Sequence, residues 1–341
     1  MYTCTWAPTV FQGPQLVDRH TRNAPVGDDL RDLVRAHVQN VEALGVSHLL
    51  IAQRWWGSGE EIEGSSLDCL AMTSFIAAVT ARIRLVTAIH PGFFSPTVLA
   101  KWAASIESLH PGRWAINVTS GWNLQEFAMY GVDALTHDAR YTRSREFIDV
   151  LKAAWSGDPF SFKGDWYHVN QLVMEPRPHH PLEIFQGGQS PAAMAMAASH
   201  SDWMFLNGGT EEKLSRIIST VRELAAGQRR TVRFAVYAAP LCRDTDAEAW
   251  AEIDARLVRL DPALVEKRKA RVAGASGMWA DDKDPLSHLD TNEGYCTRLI
   301  GSPRSIVNKI KQLKAIGISL LHLDLRDKKF VDEVLPHVHA L

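Results

Sequence analysis

The sequence predicts an α/β protein whose strands form a closed (β/α)8 TIM barrel. Eight short apolar segments alternate with segments of helical periodicity along a chain of 341 residues. This alternation is typical of a parallel sheet in which helices connect successive strands. No linker and no shift in composition divides the chain, so a single barrel domain over residues 1–341 is favoured over two doubly wound domains.

Each predicted strand is an apolar run that ends at a polar or turn-forming residue. The first run ends at Pro8, the third ends at His90, and the fifth leads directly into Gly187 and Gly188. The eight strands are predicted at residues 2–7, 47–53, 83–89, 113–119, 183–186, 203–207, 232–242 and 319–325.

The segments between the strands carry apolar residues at helical spacing. In the first of them, Leu30, Val34 and Val41 recur on one face and Gly45 ends the helix. Helices are predicted at about 30–44, 67–80, 96–109, 139–155, 191–199, 210–226, from 246, at 302–316 and at the C-terminus.

Two insertions interrupt the alternation. In residues 160–173, apolar and polar residues alternate on both sides of Lys163-Gly164-Asp165, and this pattern predicts a β-hairpin. Residues 261–298 are polar without a clean period, which predicts a lid or mobile loop.

Composition argues against several classes of function. The net charge of −2 gives no basic surface for nucleic acid or for an anionic membrane, and no apolar run approaches the roughly 20 residues that span a bilayer. Without a CxxC pair or a signal peptide, the chain is expected in the cytoplasm with four free thiols. No metal site is predicted, because metal-ligand spacings, a glycosidase carboxylate pair, a GxSxG elbow and a Walker loop are missing from the sequence.

The strand ends of such a barrel converge on one face, where sites of this fold lie. Polar and aromatic side chains gather there: Trp6, Gln53, Arg54, His90, Asn117, Ser120, Trp122, Gln186, Ser190, Asn207, Tyr237 and Asp324.

A phosphate site is one interpretation of the segment Gly187–Ser190. This segment connects a strand to a helix start, where the N–H groups around Gly188 and the Ser190 hydroxyl favour an anion. Arg140 and Tyr141, near another helix start, add donors. The other interpretation is that Ser190 only caps its helix and that Arg140 forms a surface ion pair.

Five stretches, in this order along the chain, carry a resemblance: GRWAINVTSGWNLQEF, HDARYTRSREFIDVL, FSFKGDWYHV, EIFQGGQSPAAMAMAASHSDWMF and RLIGSPRSIVNKI. The chain resembles the bacterial-luciferase-like flavin monooxygenases, and among them the reduced-flavin-dependent dimethylsulfone, alkanesulfonate and pyrimidine monooxygenases. The resemblance implies a barrel that receives reduced FMN from a separate NAD(P)H:flavin reductase. It also implies that O2 is activated as a flavin peroxide, and that the protein is a homodimer or homotetramer.

The resemblance also assigns residues. It implies that Gln53 and Arg54 lie along the flavin, and that Asn117 faces the isoalloxazine with Trp122 nearby. A further set would bind FMN, with the serine at the phosphate: Glu126, Arg140, Tyr141, Gly188 and Ser190.

The sequence leaves two possible roles open for each of two residues. His90 is either a donor to a peroxide or sulfone oxygen or a structural histidine. Tyr237 either lines the substrate pocket or fills the barrel. With Asn117 and Trp122, these two residues make up the predicted catalytic set.

Two residues of the predicted seventh strand indicate whether the substrate is charged or neutral. Alkanesulfonate enzymes that the chain resembles carry an Arg and a His where Tyr237 and Ala239 stand. A sulfonate would lose charge-assisted partners worth roughly 1.5–3 kcal/mol each. Oxygenation of a neutral sulfone to a sulfinate, with C–S cleavage, is therefore favoured.

Other activities stay open at this point. A sulfonate or sulfosugar could be desulfonated to sulfite and an aldehyde, with Arg54, His90 or Arg298 as the missing cation. Further alternatives are ring opening of a pyrimidine, hydride transfer with the deazaflavin F420, and flavin binding without catalysis.

Overall fold

The structure, a computed structural model, describes residues 1–11, 24–55, 65–272 and 284–341. Its strands are β1 (Tyr2–Trp6), β2 (His48–Ile51), β3 (Arg84–Ile89), β4 (Trp114–Val118), β5 (Phe160–Lys163), β6 (His168–Leu172), β7 (Ile184–Gly187), β8 (Trp203–Leu206), β9 (Arg233–Ala238), β10 (Leu241–Cys242), β11 (Ile300–Gly301) and β12 (Ile318–Leu323).

Eight of these strands close into a barrel in the order β1–β12–β9–β8–β7–β4–β3–β2. Every neighbouring pair in the barrel is parallel, so all carboxyl ends lie at one end, here called the mouth. The predicted (β/α)8 barrel is confirmed.

The helices begin at residues that suit helix starts. Ser95, Ser190 and Ser302 each precede a proline in the first turn, where the missing N–H of proline leaves no intrahelical bond unmade. None of the described helices is long and apolar enough to cross a membrane. The helices are α1 (Gly27–Ala43), α2 (Cys69–Val79), α3 (Pro96–Leu109), α4 (Leu124–Met129), α5 (His137–Ser156), α6 (Pro191–His200), α7 (Glu211–Ala226), α8 (Asp246–Val258), α9 (Pro262–Val272), α10 (Pro303–Ile316), α11 (Lys328–Glu333) and α12 (Leu335–Ala340).

The barrel interior is filled by side chains that alternate along the strands, so the barrel is a packed core and not a channel. The four cysteines are buried and free, as predicted. The interior cluster consists of Cys4, Leu50, Val86, Ala115, Phe185, Trp203, Phe205, Ala235 and Leu320.

Paired charges close the end of the barrel opposite the mouth. Glu183 forms ion pairs with Arg84, at 3.0 Å, and with Arg233, and it accepts a 2.6 Å hydrogen bond from the indole N–H of Trp203. His48, buried nearby, has its Nδ1 2.8 Å from the Ser47 hydroxyl. Burial lowers the pKa of His48 to about 4.

The predicted hairpin at 160–173 is confirmed as the antiparallel pair of β5 and β6. The Glu146 carboxylate, on α5, accepts 2.9 Å hydrogen bonds from the N–H groups of Asp165 and Trp166 in its turn. The Tyr167 hydroxyl donates to the Pro91 carbonyl at 3.1 Å. The hairpin is thereby fixed both to a barrel helix and to the loop that follows β3.

The prediction of a structureless segment at 261–298 is wrong where the structure describes it. Residues 262–272 form α9, and residues 284–298 include two short 3-10 helices whose side chains are largely buried. The Asp290 carboxylate accepts hydrogen bonds from the N–H groups of Asn292 and Gly294, at 2.8 and 2.9 Å. The polar residues here cap backbone turns, which the sequence pattern did not separate from solvated loop. Residues 273–283 lie outside the described part of the chain.

The predicted seventh strand also needs correction, because 232–242 is not one strand. Strand β9 ends at Ala238, and Leu241 then pairs with Ile300 in a separate two-stranded sheet formed by β10 and β11.

Candidate functional site

One half of the mouth, formed by β2, β3, β4 and β7, carries polar side chains. Gln53 follows β2, His90 follows β3, and Asn117 lies on β4 opposite Ala88 of β3. The backbone N–H of His90 donates to Gln53 Oε1 at 2.6 Å. The structure thus brings three predicted site residues together on adjacent strands.

Several buried atoms in this polar half lack hydrogen-bond partners among the residues the structure describes. They are Gln53 Nε2, His90 Nδ1, Asn117 Oδ1 and Asn123 Oδ1. Buried polar groups are nearly always satisfied, and each exception costs about 1–3 kcal/mol. The polar half therefore offers an amide donor and two carbonyl acceptors to a ligand. Asn123 was missed, because it stands before α4, a helix that the sequence analysis did not predict.

The segment after β7 forms a compact corner. Ser190 caps α6, and its hydroxyl accepts from the Ala193 N–H at 3.2 Å. The Tyr141 side chain is hydrogen-bonded to Ser190, and burial raises the pKa of its phenol. Gly188 has φ +114°, and a Cβ at this position would lie 2.7 Å from Tyr141 Oη. Both the backbone conformation and this close approach require glycine.

Arg140 is buried in the same region, with only 2% of its surface exposed. Its guanidinium donates to the Leu135 carbonyl at 2.6 Å, and burial lowers its pKa. The surface location that this interpretation gave to Arg140 is therefore wrong, whereas the helix cap at Ser190 exists as that interpretation expected. A buried cation beside a helix start suits an anionic group.

Trp122, in the loop after β4, has two guanidinium groups near its ring. The Cζ atoms of Arg54 and Arg268 are 5.4 and 5.3 Å from the centre of its ring. Trp122 also packs with Val265 and Val272, so α9 lies against the loop after β4.

Glu126 lies in α4 and is 1% exposed. Its carboxylate accepts a 2.7 Å hydrogen bond from the backbone N–H of Trp55. In this structure Glu126 thus fixes the segment that contains Arg54 and follows β2.

His90 is a buried neutral imidazole. Burial, and secondarily the Arg143 guanidinium, lower its pKa to about 4. The ring stacks on Phe127 at a centroid distance of 6.1 Å and an interplanar angle of 14°. A neutral imidazole carries one N–H and one lone pair, so His90 can donate one hydrogen bond and accept another at neutral pH.

The other half of the mouth, formed by β1, β12, β9 and β8, is aromatic. Four rings from the last two positions of these strands make what is here called the aromatic floor: Trp6, Phe205, Tyr237 and His322.

Within the aromatic floor, Tyr237 stacks on Trp6 at 5.9 Å and lies 4.4 Å from His322 between ring centres. Burial raises the pKa of the Tyr237 phenol and lowers that of His322 to about 3. Both groups are therefore neutral at physiological pH. His322 was missed, because it lies inside an apolar strand whose inward face the sequence does not identify.

Comparisons with known proteins agree with the fold and the motifs. A family model for luciferase-like monooxygenases matches residues 9–320. The FMNH2-dependent dimethylsulfone monooxygenase of Pseudomonas fluorescens (strain Pf0-1) is 36% identical over 350 aligned positions, which cover 98% of this chain and 94% of that protein. The protein of the same name from Pseudomonas putida is 39% identical over 290 positions, which cover 80% of this chain and 79% of that protein.

Among solved structures, DmoA from Hyphomicrobium sulfonivorans superposes with a TM-score of 0.77. The superposition covers 100% of this chain and 88% of that chain, at 20% sequence identity. At this identity the likeness bears on the fold alone.

Proposed function

Because the chain belongs to the luciferase-like monooxygenase family, we propose that it oxygenates a small neutral sulfone of the dimethylsulfone type with reduced FMN and O2. The observation that carries the proposal is the identity of 36% and 39% to FMNH2-dependent dimethylsulfone monooxygenases. The family resemblance, the assignment as a monooxygenase and the use of reduced FMN, all expected from the sequence, are confirmed by the family match and these relatives.

The residues present fit FMN. The phosphate would bind in the corner formed by Gly188, Ser190 and Tyr141, where N–H groups at a helix start and hydroxyls favour an anion. The unsatisfied atoms of Gln53 and Asn117 would meet the polar edge of the isoalloxazine, which has both N–H and C=O groups.

The remaining residues predicted for the site lie where they can support the binding of FMN. The buried Arg140 adds positive charge on the side of the phosphate corner, and Glu126 fixes the chain next to Arg54. Trp122, under α9, helps to keep water from the mouth. Bound reduced FMN supplies the two electrons that activate O2 for the transfer of one oxygen atom.

A neutral substrate suits the aromatic half of the mouth. The Tyr237 phenol in this half is neutral at pH 7, as is the His90 imidazole in the facing polar half, and each can hydrogen-bond a substrate or oxygen atom without changing charge. Arg298, considered above as a partner for a sulfonate, is already paired with Asp284 at 2.6 Å. In the proposed reaction one atom of O2 ends in an aldehyde and the other in water, while the remaining fragment leaves as a sulfinate.

Several expectations belong to this proposal. A separate NAD(P)H:flavin reductase would supply the reduced FMN. We expect the enzyme in the cytoplasm as a homodimer or homotetramer, which light scattering after size-exclusion chromatography would measure.

The test is an assay with the enzyme, a flavin reductase, NADH, FMN and O2. The substrates are dimethylsulfone, methanesulfonate, a longer alkanesulfonate, a sulfosugar and uracil. We expect sulfinate, measured by mass spectrometry, from dimethylsulfone. Sulfite from a sulfonate, or ring opening of uracil, without any sulfinate would overturn the substrate assignment.

A further inference from the structure

The buried imidazole of His322 is unusual within the aromatic floor. The residue is 2% exposed, and its Nε2 has no hydrogen-bond partner in the described part of the chain. Its neighbours are three aromatic rings, with centres 4.8 Å away for Trp6, 4.4 Å for Tyr237 and 6.0 Å for Phe205. A phenylalanine would fill this place without burying an unsatisfied nitrogen, so the histidine costs stability.

His48 is a buried histidine of the same barrel whose ring nitrogen has a hydrogen-bond partner. It lies at the opposite end, also among aromatic rings and also buried. Its Nδ1 is 2.8 Å from the Ser47 hydroxyl. The barrel can therefore provide a partner for a buried imidazole, and the lack of one at His322 Nε2 points to a ligand.

The location of His322 indicates which ligand it would contact. It lies on β12, in the aromatic half of the mouth, away from the polar half proposed for FMN. A sulfone carries two strongly accepting oxygens and two methyl groups, and it has no charge. Aromatic rings suit the methyl groups, and a neutral N–H suits an oxygen that only accepts.

We propose that His322 is a specificity-determining residue whose Nε2–H donates a hydrogen bond to one oxygen of a neutral sulfone. The inference rests on the proposed function and deepens it. This bond requires the neutral tautomer with its proton on Nε2, so the contact of the other ring nitrogen with the His322 backbone, which partly offsets the lowering of the ring's pKa by burial, is given up when the sulfone binds. The hydroxyl of Tyr237 is the second donor of the same subsite.

Trp6 covers this subsite in the structure. Its ring lies edge-on to His322, and the residue is 36% exposed on the outer side. The indole makes no hydrogen bond to any other residue that the structure describes. Among the described residues its side chain is held by ring packing, so a small substrate can displace the indole to reach His322.

The experiment compares the parent enzyme with His322→Phe, His322→Gln and His48→Phe. Three quantities are measured for each protein: the thermal unfolding midpoint, the Kd for FMN, and kcat and KM for sulfinate formation from dimethylsulfone. The glutamine variant is a rescue, because its amide nitrogen can reach about the position of the imidazole Nε2 and can donate.

We expect His322→Phe to unfold at the same or a higher temperature and to bind FMN with a Kd within about 2-fold of the parent value. Its kcat/KM for the sulfone should fall about 3- to 10-fold through KM, which is the effect of losing one neutral hydrogen bond. His322→Gln should recover most of this loss. His48→Phe should unfold at a lower temperature with an unchanged KM.

An unchanged kcat/KM in His322→Phe overturns the inference. So does a lower unfolding temperature together with weaker FMN binding in that variant, because that pattern marks a structural role. If the parent enzyme makes no sulfinate, the proposed function fails together with the inference. That failure is distinguishable because it is seen in the parent and not only in a variant.

Discussion

The buried imidazoles at the two ends of the barrel differ in whether the described structure leaves one of their ring nitrogens without a partner. At the end opposite the mouth, Glu183 is paired with Arg84 and Arg233, and the His48 imidazole meets the Ser47 hydroxyl. At the mouth, the side chains of His90 and His322 each leave a ring nitrogen without a partner among the described residues.

This difference separates the groups that stabilise the barrel from those that would serve a ligand. All three imidazoles are buried and have lowered pKa values, so burial alone does not distinguish them. What distinguishes the three imidazoles is whether a ring nitrogen is left without a hydrogen-bond partner. At the opposite end Arg84 Nε and Glu183 Oε2 make no hydrogen bond either, but these two atoms form an ion pair with each other at 3.0 Å. Buried imidazoles that keep a ring nitrogen without a partner at one end of a fold that supplies a partner at the other end indicate a binding site.

The largest effect is expected from His90→Phe. If His90 donates to or accepts from a reacting oxygen, sulfinate formation should fall about 10²- to 10⁴-fold. Stability in urea should not fall, because His90 Nδ1 makes no hydrogen bond in the described structure. His48→Phe is the matched control and should lose stability and keep its activity per folded molecule. A His90→Phe enzyme as fast as the parent would show that His90 is only structural.

The second effect is a loss of stability in acid. The folded pKa values of His48, His90 and His322 lie at about 4, 4 and 3, below the value of 6.5 for a free imidazole. As the pH falls from about 6.5 towards 4, the unfolded chain therefore binds protons that the native protein does not. The free energy of unfolding should fall by about 3 kcal/mol between pH 6 and pH 5 through these three groups together.

Urea unfolding at pH 7, 6 and 5 measures this dependence. Replacing any one of the three histidines by phenylalanine should flatten it by about one third. A dependence that none of these replacements changes would assign the acid sensitivity to other groups.

A smaller effect is expected at the proposed phosphate corner. Gly188→Ala places a Cβ 2.7 Å from Tyr141 Oη at φ +114°, so the corner must distort. The Kd for FMN, measured by fluorescence quenching, should rise at least about 10-fold. Gly227→Ala, directly after α7, is the control, because a Cβ there makes only ordinary contacts, at 3.5 and 3.8 Å from backbone oxygens. Equal FMN binding by the two variants would place the phosphate elsewhere.

The smallest effect is expected at the opposite end of the barrel. Glu183→Ala leaves Arg84 and Arg233 without their carboxylate, but both arginines are partly exposed and screened by solvent. The free energy of unfolding should fall by about 1–2 kcal/mol in urea titrations. FMN binding should not change. A large loss of FMN affinity in this variant would contradict the separation of the two ends.

Much of the barrel was predictable because its strands are continuous apolar runs. The predicted helix at 96–109 coincides with α3, which begins at Ser95-Pro96, a clear start signal. Site residues that stand where an apolar run stops, such as His90 and Gln53, were also found from the sequence. The end of a strand is visible as a change in residue type.

Other features depend on information that periodicity does not carry. His322 lies within a strand, and only the register with Tyr237 and Cys4 shows that it faces the barrel interior. Asn123 matters only once α4 is known. The buried turns around Asp290 resemble a solvated loop in the sequence, because a carboxylate that accepts from backbone N–H groups has the same composition as one that faces water.

The hairpin formed by β5 and β6 has an evolutionary consequence. Glu146 holds its turn, and the Tyr167 hydroxyl holds the carbonyl of Pro91, the residue next to His90. Insertions outside a barrel accumulate changes more freely than barrel strands do. Through this connection, a change in the hairpin can shift His90 without altering any strand. Selection could therefore adjust the chemistry of the mouth from a peripheral segment while the barrel sequence stays constant.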